Sequence, residues 1–353
     1  MFDVNDFDET LPGPWEWDVK RLVASLVVAA RGNGYSPKQR SKIVRDTVGR
    51  YREAMRGFAT MPNLAVWYSR LDIEELLDQL RGQVKAKMIK RTEQGLAKAR
   101  TRDSLQAFSK LTHLVDGEPR IISDPPLIVP VEELFPDATA DQVSETVHDF
   151  VRGYRQSLQT DRRILLEQYR FVHLARKVVG VGSVGTRAWI ALFLGLDGQD
   201  PLFMQVKEAQ ASVMEEYVGK SGYANHGERV VAGQHLMQAS SDIFLGWKRM
   251  TGIDNVERDF YARQLKDWKG SAEIEVMAPE GMTLYGQMCG WTLARAHARS
   301  GDRVAIATYL GSNDTFDRAL VEFAEAYADQ NERDYNALVE AVKSGRIAAE
   351  SGL

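Results

Sequence analysis

The polar and apolar positions of the chain change period along its length. From Trp17 to about Arg102 the period is helical. The stretch "WDVKRLVASLVVAARG" has a capping side chain, Asp18, near its start and Gly32 at its end. The next, "SPKQRSKIVRDTVGRYREAMRGF", opens on Ser36 as a cap with Pro37 in the first turn. Helix packed on helix is expected here. From about Thr112 to Asp137 the stretch containing "DGEPRIISDPPLIVPVEELFPD" holds too many prolines for one helix, and it reads as extended segments and turns that link two regions. Between Lys177 and about Asp267 the signature is that of short strands with Gly and Asp turns: "KVVGVGSVGTRAWIALFLG", "DPLFMQVKEA" and "RDFYARQLKDW", interrupted by one helix after Lys207. From Thr283 onward helices return. The expected division is 1–175, a helical lobe with a proline-rich connection, then 176–270, a β-rich lobe, then 271–353, helices that complete the helical lobe.

The first ten residues, "MFDVNDFDET", interrupt this simple picture. They thread Asp3, Asp6, Asp8 and Glu9 through Phe2, Val4 and Phe7. The alternation is that of a strand end, yet strands disfavour so many carboxylates. Either a cation neutralises them, or the segment is a solvated acidic terminus.

Composition limits the partners. The 353 residues are 44% hydrophobic and carry a formal net charge of -4 with both signs interspersed, so no basic face points to nucleic acid and no polybasic run to a membrane. The longest early apolar run, "LVASLVVAARG", is shorter than the roughly 20 residues of a membrane-spanning helix. A single cysteine, Cys289, excludes an internal disulfide and a multi-cysteine zinc site. A cytoplasmic protein is expected.

The chemistry concentrates in two places. Gly180, Gly182 and Gly185 form a GxGxxG with Ser183 inside it, directly after the strand-like "RKVV". Glycines so spaced let backbone N–H groups approach phosphate oxygens. Three readings stay open: a glycine hairpin without a ligand, a dinucleotide fold with a helix after the glycines and Asp197 or Asp200 on a ribose, and a kinase-type loop. The last needs a following strand lysine and a helix glutamate. Lys207 at the end of "PLFMQVK" and Glu215 or Glu216 in "EAQASVMEEYVG" come in that order.

The acidic opening then gains a counterpart. "NDFDE", Gly13-Pro14 and Asp18-Val19-Lys20 resemble, in order, the "IDF/IDW" strand end, turn and "Asp-Leu-Ala" helix start of phosphotransferases of the aminoglycoside and choline kinase type. In this chain Pro14 directly follows Gly13, and Val19-Lys20 stand in place of Leu-Ala. The resemblance implies ATP and magnesium as cofactors, Asp6 and Asp8 as magnesium ligands, and Asp18 as the aspartate that caps the next helix and braces a catalytic loop. "CGWTLARAHARSG" resembles the helix that runs into that loop. Because the metal aspartates precede the glycine loop, the implied fold is α+β and two-lobed, protein-kinase-like and circularly permuted, with a mostly helical lobe and a small antiparallel β lobe.

Nearly the whole chain also resembles the bacterial proteins grouped as domain of unknown function 2252, through "FDVNDFDETLPGPWEWDVKRLVASLVVAAR", "RKVVGVGSVGTR", "PLFMQVKEA", "GQHLMQASSDIFLGW", "RQLKDWKGS" and "LARAHARSGD". That resemblance implies a "GDAHxxNFG"-like catalytic segment, expected in frame upstream of Met1; without it, nucleotide binding without transfer is expected. The expected function is a magnesium- and ATP-dependent phosphotransferase or ATP-binding protein whose acceptor, a small molecule or a protein, the sequence does not identify. An NAD(P)-dependent oxidoreductase and a non-enzymatic regulatory protein are the alternatives.

Overall fold

The computed structural model describes residues 1–74, 93, 97, 104–137, 139–178, 185–198, 200–252, 254–265 and 272–349. Helices α1 (Glu16–Gly32) and α2 (Pro37–Thr60) form where the helical period lies, followed by a short α3 (Asn63–Tyr68). Ser36 and Gln39 form a reciprocal capping box at the start of α2, which satisfies two backbone donors that a helix start leaves free. The start of α1 differs from expectation. Its N-cap is Trp15, so Asp18 lies inside the first turn and does not cap it.

The proline-rich stretch is extended and turned, as its composition requires. After α4 (Ser104–Leu111) come the hairpin β1 (Thr112–Val115) and β2 (Glu118–Ile121), then β3 (Ile128–Pro130) and α5 (Val131–Leu134). Helices α6 (Ala140–Tyr154) and α7 (Thr160–Leu166) lead to β4 (Arg170–Lys177), β5 (Ala188–Leu194) and β6 (Pro201–Ala209). Helices α8 (Glu215–Val218) and α9 (His226–Met237) precede β7 (Gly246–Thr251) and β8 (Glu257–Gln264). The chain ends in α10 (Pro279–Ser300), α11 (Arg303–Leu310) and α12 (Thr315–Lys343). Strands β3 to β8 make one antiparallel sheet in the order β3-β4-β5-β6-β8-β7. Among the described residues no helix is long and apolar enough to cross a membrane.

The helix expected directly after Lys207 does not form there. Strand β6 continues to Ala209, and residues 210–214 are irregular because the N-terminal segment holds them: Ser212 Oγ donates to the Glu9 carbonyl at 2.9 Å, and Val213 N–H donates to the Glu9 carboxylate at 2.8 Å. Tertiary hydrogen bonds have replaced the helical ladder.

The helices and the sheet keep separate cores. Val23, Val48, Met55, Ala294 and Ala324 belong to one core shared by α1, α2, α10, α11 and α12. The sheet is covered on both faces, and β6 shows why. Its Met204 and Val206 pack with Tyr154 of α6 and with Phe260, while Phe203, one residue before Met204, packs with Ile190, Leu192 and Phe108 of α4. Helices α4 and α6 thus pack on the two faces of the sheet. A fourth cluster, Phe7, Val230, Val231 and Tyr261, ties the N-terminal segment to α9 and the sheet.

Helix α10 crosses α2 at small residues. A Cβ on Gly290 would lie 2.5 Å from the Thr47 carbonyl oxygen, a backbone atom that cannot swing aside. Gly290→Ala is therefore expected to destabilise the protein by about 1–3 kcal/mol through overpacking. Gly57→Ala, on α2 where a Cβ meets open space, should be neutral or stabilising by up to about 1 kcal/mol. Urea unfolding of the two variants checks the contrast, and equal midpoints would show that the helices do not approach so closely.

Candidate functional site

Strand register brings the glycine segment and Lys207 to the same end of the sheet. Ala188, the first residue of β5, stands opposite Lys207, and Glu208 N–H donates to the Arg187 carbonyl at 2.8 Å. Gly180, Gly182 and Ser183 lie outside the described residues. Gly185 follows them at φ +85°, a left-handed backbone that glycine adopts without a steric cost. Because β4 and β5 are antiparallel neighbours, the glycine segment joins a hairpin. A dinucleotide fold instead needs a helix straight after the glycines and an acidic residue close to them. Asp197 and Asp200 sit in the turn between β5 and β6, at the far end of both strands. At about 3.4 Å per residue that is roughly 20 Å from the Gly185 end. Asp200 accepts there from the Tyr169 hydroxyl at 3.1 Å.

What meets Lys207 comes from the start of the chain. Its ammonium donates to Asp8 Oδ2 at 2.5 Å across 199 residues of sequence, while the Tyr261 hydroxyl donates to Asp8 Oδ1 at 2.6 Å. Lys207 also lies 5.5 Å from the centre of the Tyr261 ring. Burial opposes ionisation of Asp8, but the hydrogen bonds from Lys207 and Tyr261 outweigh it and hold the carboxyl below the usual aspartate value. Burial, reinforced by the Asp8 charge, pushes the Tyr261 phenol well up, so it remains a donor.

The acidic opening is not a strand end. Among its residues the β pairing is one isolated bridge, Phe2 with Leu71, and Asp6 takes a left-handed φ of +71°. That local turn leaves Asp6 exposed and Phe7 buried, and it presents Asp8 to Lys207. Backbone groups here are satisfied by side chains, not by a neighbouring strand. Gln238 donates to the Val4 carbonyl at 2.9 Å. Arg229, on α9 and 2% exposed, donates to the carbonyls of Thr10 at 2.6 Å, Asp8 at 2.8 Å and Gln210 at 2.9 Å. Arg229 is a positioning residue for Asp8. An arginine on a short polar helix carries no sequence signal of burial, which is why sequence reasoning passed over it.

Glu215 does not take the part expected of it. It begins the four-residue α8, and its carboxylate accepts from Ser221 N–H at 3.3 Å, while Lys207 is paired with Asp8. The Glu215 charge acts on the buried Arg229 guanidinium, supporting its protonation together with Glu9 and Asp8 against burial.

Asp18 meets the helix that carries "LARAHARSG". His297 Nε2 lies 3.2 Å from Asp18 Oδ2, and His297 Nδ1 lies 2.8 Å from the Tyr51 hydroxyl. Burial, then the charges of Asp18 and Glu16, push the Tyr51 phenol up. In the tautomer with hydrogen on Nε2, Tyr51 would donate to Nδ1 and the ring to Asp18. The contact joins α1 to α10. Asp302, by contrast, caps α11 through the N–H groups of Val304 and Ala305.

The carboxylates do not form a protein cage for a metal. Among the described residues no group of three or more His, Cys, Asp or Glu side chains stands together as ligands. Magnesium is commonly held by one or two carboxylates with phosphate and water completing the octahedron, and Asp6 with Asp8 supplies that number. Asp8 already faces a cation, the Lys207 ammonium, so its donor chemistry fits the group.

No curated protein and no solved structure matches the chain. Residues 1–341 match the family described as an uncharacterized protein conserved in bacteria, domain of unknown function 2252, and the chain belongs to that family.

Proposed function

We propose that this protein is a kinase-like phosphotransferase that binds ATP and magnesium where Lys207 meets Asp8. The single observation that carries the reading is that pair, set at the open end of an antiparallel sheet beside the glycine hairpin. Kinase-type sites combine a glycine-rich loop over the phosphates, a strand lysine on them and an aspartate on the metal. Loop and lysine lie in that order between 180 and 207, while the aspartate reaches them from the other end of the chain. This arrangement supports a circularly permuted, two-lobed architecture, with the sheet as the nucleotide lobe and the helices as the second.

Lys207 would move its ammonium from Asp8 to phosphate oxygens, a charge-assisted contact of the same kind. Backbone N–H groups of the 180–185 loop would close over the phosphates. Asp8, released from Lys207 but still held by Tyr261, would hold the metal with Asp6. Bound magnesium would offset the negative charge gathered between phosphates and carboxylates. The Asp18–His297–Tyr51 contact would fix the helical side of the site. The acceptor-orienting aspartate belongs, by the resemblance, to a segment of the "GDAHxxNFG" kind. The antiparallel hairpin at the glycines favours this reading over a dinucleotide-binding oxidoreductase.

Calorimetric titration with ATP and magnesium tests the lysine. Lys207→Ala should weaken binding by about 1.5–3 kcal/mol, roughly tenfold to 150-fold, with circular dichroism confirming that the fold is kept. Equal affinity in the two proteins would remove Lys207 from the phosphates. The carboxylate is tested by metal dependence. Magnesium should strengthen ATP binding by the wild-type protein, and in Asp8→Asn, which keeps an acceptor for Tyr261, that gain should disappear. A variant that responds to magnesium as the wild type does would place the metal elsewhere.

A further inference from the structure

The sheet has a second face, and an aromatic cavity opens there, away from Lys207. It measures about 100 Å³, lies between α6 and strands β5, β6 and β8, and has an almost wholly apolar wall. Phe150 and Tyr154 of α6 line it with their rings stacked 5.7 Å apart, and Phe260 meets Phe150 edge-on at 6.4 Å. Trp189 and Phe193 of β5 add further ring surface. Protein cores rarely leave voids larger than a water molecule. Space for several waters without polar partners stays dry, and engineered cavities of comparable size bind small apolar rings. The surrounding faces and edges suit a flat ring that packs offset or edge-on.

The cavity does not end in the core. Phe135, Thr146 and Met250 are shared with an open cleft of about 620 Å³ on the outside of α6. That cleft is rimmed by Asp137, Glu145 and Asp149. Lys248 offsets one of these carboxylates, donating to Asp149 at 3.2 Å. A ligand that fills both spaces therefore has an uncharged ring at its inner end and positive charge at its outer end. We infer that this cavity and its acidic cleft form a binding site for an aromatic amine, with the ring between α6 and the sheet and the protonated amine among Asp137, Glu145 and Asp149. The site is separate from the proposed nucleotide site, because adjacent residues of β6 face opposite sides: Val206 lines the cavity and Lys207 pairs with Asp8.

The test uses the full chain and phenethylamine as probe, titrated by calorimetry without nucleotide, so that its outcome is independent of the phosphotransferase reading. Phenethylamine should bind, and 3-phenylpropionate, with a similar ring and opposite charge, should bind at least tenfold more weakly. Glu145→Gln, an exposed position that leaves the fold intact, should weaken phenethylamine and not 3-phenylpropionate. Ala191→Leu grows into the cavity from β5 and should abolish phenethylamine binding with the thermal midpoint unchanged or raised. The inference is overturned by no binding to the wild type, by equal affinity for amine and carboxylate, or by unchanged binding in either variant. A clear fall in the midpoint of Ala191→Leu would also overturn it, since it would mean that the space is not there.

Discussion

A guanidinium that is 2% exposed must find its acceptors inside the protein, and Arg229 finds the carbonyls of Asp8, Thr10 and Gln210. Those three carbonyls belong to two chain segments that nothing in the local sequence would bring together. Residues 8–10 are thereby laid against the exit of β6, and the Asp8 carboxylate is delivered to the Lys207 ammonium. Burial lowers the Arg229 pKa from its usual value, and the charges of Glu9, Glu215 and Asp8 offset part of that. Acidity at the start of the chain is thus an answer to cations elsewhere. The same holds nearer the terminus, where Asp3 pairs with Arg295, a residue of α10 that is 1% exposed. The N-terminal segment is an anionic ribbon drawn between a buried cation of the helical core and two cations beside the sheet.

That arrangement makes the site residues structural as well. Removing one partner of a fully buried ion pair typically costs about 3–5 kcal/mol, and the cost at Lys207 is smaller because Asp8 keeps solvent and the Tyr261 hydroxyl. Lys207 is more enclosed than Asp8, with side-chain exposures of 13% and 33%. Lys207 holds one Asp8 oxygen and Tyr261 the other, so the direction of both charged side chains is fixed by contacts within the protein.

The sequence carried the local parts of this structure and not the long-range ones. Ser36, Pro37 and Gln39 announce α2 because a cap is satisfied within four residues. Strands β5, β6 and β8 were legible from Gly and Asp turns between short apolar runs, and Lys207 from its place near the end of one of them, but β4 runs from Arg170 to Lys177, before the expected start of the β region. Asp6 and Asp8 were both singled out, but which of them meets Lys207 depends on the left-handed turn at Asp6, a conformation sequence alone does not fix. Glu215 was assigned a helix partner's role from its spacing, and the contacts of Glu9 with Ser212 and Val213 undid that helix. The pairing of α6 with the sheet was equally hidden, since an apolar helical stripe specifies that it is buried and not against what.

Strand β6 is where these separate facts become one constraint. It is central in the sheet, flanked by β5 and β8, and its side chains alternate between two faces with different occupants. Met204 and Val206 support the aromatic layer under α6, Phe203 supports α4, and Lys207 closes the row at the glycine end. A strand held by hydrogen bonds on both edges cannot shift its register by one residue without exchanging these faces entirely. The apolar packing of 202–206 therefore fixes the height and direction of Lys207 as firmly as Asp8 fixes its charge. The position of the ammonium is thus set twice, by the apolar packing along the strand and by the Asp8 carboxylate near its end.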